Sequence, residues 1–150
     1  MAAPQREGST SALIAAMLGG RRLLRDSPRS TAELRTLARA GLPNGVIGEL
    51  STQLGTSETE LRRIVRLAPR TAARRKDANL KPDESDRVMR VARVFARAQR
   101  VLGDRDRAAA WLRRANRALG DALPLDLLDT DIGAADVEDV LVRIEHGVLG

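Results

Sequence analysis

Apolar residues recur along this chain at the spacing of helix faces, and nowhere do they alternate long enough to make a strand. Over 11–25, Leu13, Ala16, Met17, Leu23 and Leu24 share one side, and Gly19-Gly20 is expected to break or fray the helix. Ser30-Thr31-Ala32-Glu33 has the form of a capping box, in which the serine oxygen takes the amide three residues on and Glu33 reaches back to the cap. Leu34, Leu37 and Ala38 follow at core spacing, and Gly41 suits the stop. A third helix is predicted over 44–54, with Val46, Ile47, Leu50 and Leu54 inward and Gly55 ending it. Ser57-Glu58-Thr59-Glu60 is a second capping box; it opens a helix with Leu61, Ile64 and Val65 inside, which Pro69 stops. A short helix over 70–76 is expected next.

The longest helix is predicted over 82–102. Pro82 suits its first turn, Asp83 and Glu84 suit the positive end of its dipole, and Gly103 suits its end. Val88, Val91, Ala92, Phe95, Ala98, Val101 and Leu102 form its apolar stripe, and Arg87, Arg90, Arg93, Arg97 and Arg100 lie off it. A helix over 106–115 buries Ala108, Trp111, Leu112 and Ala115; a short helical piece follows over 124–128; a final helix starts near Ala134 and buries Val137, Val140, Leu141 and Ile144, with Gly147 as its stop. Residues 1–10 are small and polar, contain Pro4 and Gly8, and read as a disordered tail. The fold class is all-α, with the short connections of a helical bundle.

Composition narrows the chemistry. The 150 residues are 43% hydrophobic and 31% charged but hold one Phe and one Trp, so the core is built of Leu, Val, Ile and Ala. Cysteine is absent, which excludes disulfides, thiolate metal sites and a cysteine nucleophile. His146 is the single histidine, which argues against a histidine metal site or a Ser-His-Asp triad. No apolar run approaches the ~18 residues that span a bilayer, and the short stretch 12–18 does not read as a signal peptide. A cytoplasmic protein with no membrane association is expected.

The net charge of +6 conceals a split. Residues 1–119 carry 25 basic and 12 acidic side chains, a net +13, whereas 120–150 carry one Arg against 8 acids, a net −7. A basic body suits a polyanion, and an acidic end suits a basic cleft.

Two short helices joined through Leu54-Gly55-Thr56 form a candidate helix-turn-helix, although any bundle also contains such pairs. In that unit the second helix enters the DNA major groove by its N-terminal end. Thr56, Ser57, Thr59 and Glu60 would sit there, with Arg62, Arg63 and Arg66 further on as partners for guanine or phosphate, while the carboxylates of Glu58 and Glu60 at the helix start would repel phosphates. The run 70–76 adds Arg70, Arg74, Arg75 and Lys76, which are either phosphate contacts or a solvated helix face. Trp111 at helical spacing reads as core more readily than as a stacking platform. Asp126, Asp129, Asp131, Asp136 and Asp139 do not have the spacing of a calcium loop and read as caps and solvated face. An enzyme built on Asp126 and Asp129 lacks a companion base, metal set or phosphate loop, so no catalytic residue, metal or cofactor is expected.

The run from Trp111-Leu112 through Asn116-Arg117-Ala118-Leu119-Gly120, then Pro124-Leu125-Asp126-Leu127-Leu128-Asp129-Thr130, Gly133, Val137 and Leu141, closes on Arg143-Ile144-Glu145-His146-Gly147-Val148. It resembles the toxin-binding domain of the Xre/MbcA/ParS family of antitoxins. Upstream, Gly41-Leu42-Pro43, the run 70–76, Leu80 and Glu84-Ser85-Asp86-Arg87 resemble the Xre-type helix-turn-helix domain of the same family. The likeness covers about 35–150 and departs from the family at His146 and Leu149, positions often aromatic there.

The resemblance implies a type II antitoxin with a helix-turn-helix domain over 11–103, for promoter DNA and dimer formation, and a toxin-binding domain over 104–150. Its partner would be a RES-domain toxin that consumes NAD or transfers ADP-ribose, held with the antitoxin homodimer in a hetero-oligomeric complex. Toxin contacts would fall on Trp111, Leu125, Asp126, Asp129, Arg143, Glu145, His146, Gly147, Val148, Leu149 and Gly150. The alternative is a plain helix-turn-helix transcriptional regulator whose C-terminal domain senses a partner or ligand.

Overall fold

The computed structural model of the chain describes residues 2–25, 27–67 and 78–147, with side chains described from Thr10 onward. The expected helix over 70–76, with Arg70, Arg74, Arg75 and Lys76, lies outside the described residues, as do Val148, Leu149 and Gly150.

The described residues form eight α-helices, two 3-10 turns and no strand. The helices are α1 (Ala2–Met17), α2 (Gly20–Leu23), α3 (Thr31–Ala40), α4 (Val46–Leu54), α5 (Glu58–Ile64), α6 (Pro82–Leu102), α7 (Arg105–Leu112) and α8 (Asp131–Glu145); the 3-10 turns, Arg117–Leu119 and Pro124–Asp129, lie between α7 and α8.

The caps explain most of the boundaries. The Ser30 hydroxyl accepts the Glu33 amide at 3.2 Å, while the Glu33 carboxylate takes the amide of Arg29, one residue before the cap. Only half of the second capping box forms: Ser57 accepts the Glu60 amide at 3.0 Å, but the Glu60 carboxylate turns to Arg63. Pro82 opens α6, and Glu84 accepts the Lys81 amide at 2.8 Å. Asp104 caps α7 through the Arg107 amide at 2.8 Å, and Thr130 caps α8 through the Gly133 amide at 3.0 Å.

Four boundaries differ from expectation. Helix α1 begins at Ala2, where a disordered tail was expected over 1–10; Pro4 falls in the first turn, where a missing N–H costs nothing, and the helix continues from the buried turn at Ser11, Ile14 and Ala15. Helix α5 ends at Ile64, before Pro69, because Arg66 turns left-handed at φ 58°. The Leu67 amide then reaches the Arg62 carbonyl at 2.8 Å and the Arg66 amide the Arg63 carbonyl at 3.2 Å, the two bonds of a Schellman stop. Helix α7 stops at Leu112, so Ala115 is exposed and Trp111 half-buried against the core. There the Asn116 amide pairs with the Ala122 carbonyl at 3.0 Å and its side chain caps Ala118 at 2.9 Å, which closes a turn instead of a further helical one. Helix α8 starts at Asp131 rather than near Ala134, because Thr130 is its cap.

One apolar core runs through all of this. Helix α6 is its axis, with Val88, Val91, Ala92, Val94, Phe95, Ala96 and Ala98 fully buried. Leu18 of the turn after α1, Ile47, Leu50 and Leu54 of α4 and Leu61 of α5 belong to the same cluster as Leu112, Leu128, Val137 and Leu141. Aliphatic side chains supply this core as the composition requires, at ~25 cal/mol per Å² of apolar surface removed from water. The chain before α6 is also tied to it by a polar contact: the buried Leu42 amide donates to Ser85 Oγ at 2.8 Å. Among the described residues no helix is long and apolar enough to cross a membrane.

Candidate functional site

Helices α4 and α5 meet through Gly55 in the left-handed conformation at φ 72°, with the Thr56 amide returning to the Ser51 carbonyl at 3.0 Å. Leu50, Leu54, Leu61 and Ile64 bury the inner faces of the pair. That burial leaves Ser57, Thr59, Arg63 and Arg66 exposed on the outside and Thr56 half-buried in the turn. The two helices therefore present one end of α5 to solvent, as a groove-reading unit requires.

Several of those side chains have internal work. The Ser57 hydroxyl is occupied as the cap. The Arg62 side chain is only 16% exposed and lies 3.8 Å from Glu58, and its Nη1 is buried without a partner. Arg63 is held from two sides, by Glu60 on its own helix and by Asp126 Oδ1 at 2.9 Å. The hydrogen bond from Arg63 holds the Glu60 carboxyl below its ordinary value of 4.5, and the two carboxylates raise the Arg63 guanidinium above its own ordinary value. The side chains of Thr59 and Arg66 have no hydrogen-bond or ion-pair partner among the described residues, which leaves them available to a ligand.

Arg113, to which no sequence motif gives a role, lies against the helix-turn-helix turn. A side chain at position 55 would meet its guanidinium at 3.2 Å. Its neighbourhood is visible in the sequence as Trp111-Leu112-Arg113-Arg114, but nothing local points an arginine at a turn nearly sixty residues earlier.

The C-terminal element is built on Pro124–Asp129 and α8. Pro124, Leu125 and Leu128 are buried, and Asp126 and Asp129 are half-buried. Helix α8 crosses this 3-10 turn so closely that a methyl group at Gly133 would run into the Leu127 carbonyl, so glycine there sets the approach. Its inner face, Gly133, Ala134, Val137, Val140 and Leu141, is buried. Arg143, Glu145, His146 and Gly147 are exposed at its far end; His146 Nε2 lies 4.0 Å from Glu145, and Gly147 turns the chain at φ 68°.

The residues expected to contact a toxin thus fall in two places. Leu125, Asp126 and Asp129 lie in the second 3-10 turn, with Trp111 at the end of α7, whereas Arg143, Glu145, His146 and Gly147 stand at the exit of α8. Two of the first group serve the fold: Leu125 is buried, and Asp126 holds Arg63.

The acidic end meets the basic body directly. Arg87 Nε donates to the Val65 carbonyl at 2.7 Å, which binds the end of α5 to α6. Arg90 reaches the Leu128 carbonyl at 3.4 Å and Asp131 at 3.8 Å, and Arg93 reaches Glu138 at 2.8 Å. Two of the α6 arginines that lie off the apolar stripe, Arg90 and Arg93, therefore tie the domain halves together. Among the described residues no cluster of His, Asp and Glu could hold a metal ion.

Comparison with known proteins agrees with this division. Residues 33–93 match the antitoxin Xre-like helix-turn-helix domain, and residues 97–147 match the antitoxin Xre/MbcA/ParS C-terminal toxin-binding domain. The chain is 34% identical over 123 residues to "Antitoxin Xre" of Photorhabdus laumondii, covering 80% of this chain and 83% of that protein. It is 32% identical over 113 residues to "Antitoxin Xre" of Yersinia enterocolitica, covering 73% and 76%. A third relative, "Antitoxin Xre" of Pseudomonas putida, is 35% identical over 72 residues, covering 48% and 45%. With both domains matched in order and a relative aligned over most of its length, the chain belongs to the Xre/MbcA/ParS family of antitoxins.

Proposed function

We propose that this antitoxin binds a RES-domain toxin, occludes its NAD site, and represses its own operon by binding the promoter as a dimer in the cytoplasm. It has no catalysis and no cofactor of its own in this reading. The observation that carries the proposal is the joining, in one apolar core, of an Xre-like helix-turn-helix and a toxin-binding domain.

The exposed residues support a division of labour. Thr56, Ser57, Thr59, Arg62, Arg63 and Arg66 stand on the α4–α5 unit and are assigned to DNA, with Arg70, Arg74 and Arg75 assigned to phosphates. Trp111, Leu125, Asp126, Asp129, Arg143, Glu145, His146, Gly147, Val148, Leu149 and Gly150 are assigned to the toxin. An enzyme that uses NAD holds a pyrophosphate, and arginine or lysine is the usual means. Glu145 at the exposed end of α8 brings a carboxylate that competes for such cations, and Gly147 lets the following residues leave the helix axis.

Co-expression with the neighbouring gene, followed by an NAD assay, tests this reading. The expected result is that the neighbour alone depletes NAD and arrests growth and that this chain suppresses both. Deleting 147–150 is expected to leave the complex assembled on size-exclusion chromatography while NAD loss partly returns. A neighbour that is harmless alone overturns the antitoxin reading in favour of a plain helix-turn-helix regulator.

A further inference from the structure

The acids of the C-terminal element face two ways. Asp126 and Glu138, half-buried, turn to the body and pair with Arg63 and Arg93, and Asp131, itself largely exposed, reaches Arg90 at 3.8 Å. Asp136 and Asp139 turn outward and have no ion-pair or hydrogen-bond partner among the described residues. They share their face of α8 with Ile132: positions 132, 135, 136, 139 and 143 recur at helical spacing, and all five are exposed. Ile132 is 79% exposed and, among the described residues, is the large hydrophobic side chain left to solvent.

Nothing in the fold needs this arrangement. Thr130 and the buried face from Gly133 to Leu141 already hold α8, and Ile132 is not part of that core. Exposing an isoleucine in the first turn, one helical turn from a free carboxylate, has the composition of a binding surface: an apolar anchor with a charged rim.

We propose that the outer face of α8, centred on Ile132 with Asp136 and Asp139, is the surface on which the protein partner docks, and that the partner presents an apolar pocket rimmed by Arg or Lys. The proposal rests on the antitoxin reading above and adds where the partner sits. A second copy of this chain is a poor occupant. Two α8 helices packed antiparallel about their middles set Asp136 of one against Asp139 of the other, twice over, and bring Arg143 onto Ile132, so like charges oppose and the anchor meets a cation. A basic partner relieves both carboxylates at once.

The test uses the full chain and the purified product of the neighbouring gene, made catalytically inactive, with binding followed by biolayer interferometry at two salt concentrations. Ile132→Arg is expected to weaken the complex by at least about tenfold. The double variant Asp136→Asn/Asp139→Asn is expected to slow association several-fold more at low salt than at high salt, since rim charges act mainly on the encounter. Both sites are exposed, so circular dichroism should show unchanged helicity. If the wild-type chain binds and both variants bind within about twofold of it, the α8 surface is wrong while the antitoxin reading stands. If the wild-type chain fails to bind the neighbour, both fall. If Ile132→Arg instead converts a dimer to a monomer by light scattering, the face is a self-contact and the proposal is overturned.

Discussion

Arg63, on the helix assigned to DNA, and Asp126, in the 3-10 turn assigned to the toxin, are 2.9 Å apart across 63 residues of chain. The helix assigned to DNA and the toxin-binding element are thus joined through one of the arginines proposed to contact DNA. Under the proposed DNA-binding role, a phosphate oxygen would compete with Asp126 for the same guanidinium.

This ion pair leads to the first prediction. Under the proposed DNA-binding role, Asp126→Asn is expected to strengthen promoter binding at low salt by up to about fivefold, since an exposed ion pair holds its arginine only weakly. Arg63→Ala should weaken binding and lower the log–log salt slope by about 0.9, the share of the one phosphate that the arginine would neutralise. Fluorescence anisotropy on a promoter duplex over a salt series reads both. An Asp126→Asn protein with unchanged affinity would mean that Arg63 does not reach DNA.

The stop of α5 gives a second. Arg66 holds φ 58°, where a side chain with a Cβ is strained and glycine is not. Arg66→Gly relieves that strain but gives the unfolded chain more freedom, so a net stabilisation of about 0.5–1 kcal/mol is expected. Urea unfolding measures it. The same variant should bind DNA more weakly if the arginine contacts phosphate, so stability and affinity are expected to move in opposite directions.

Ser85 provides a third. Its hydroxyl accepts the buried Leu42 amide at 2.8 Å, at the junction between the segment after α3 and α6. Ser85→Ala leaves a buried donor unmade and is expected to cost about 1–3 kcal/mol. A destabilisation under ~0.5 kcal/mol by thermal or urea denaturation would show that the amide finds another acceptor.

The single core makes the fourth. A fragment beginning at residue 104 keeps α7, the 3-10 turns and α8 but lacks Val88, Val91, Ala92, Val94 and Phe95, the surface these elements cover. Circular dichroism of that fragment is expected to show little helix. In the intact chain, Phe95→Ala should cost about 3–5 kcal/mol and lower the stability of both halves in one transition. Two separate transitions would show that the halves fold independently.

Local chemistry alone accounts for much of this protein. The helix over 82–102 is legible end to end, because Pro82, the acids after it, the apolar stripe and Gly103 all act within a few residues of one another. The same holds for the Ser30 and Ser57 caps, for the Gly55 turn, and for the largely aliphatic core that one Phe and one Trp imply. The family resemblance rests on such short-range motifs too, from Trp111 to Val148.

Interactions between distant positions decided the rest. Charge counting reads the basic body and acidic end as surfaces for two partners, yet Asp126, Asp131 and Glu138 face Arg63, Arg90 and Arg93 across the molecule. Glu60 turns from its capping box to Arg63, Arg113 settles against Gly55, and Ile132 stays outside once Thr130 starts α8 three residues early. Apart from the Glu60–Arg63 pair, none of these partners lies where it could be read at a helical spacing. Patterning at three and four residues says which side chains share a helix face; only packing that face on α6 says what the opposite face meets.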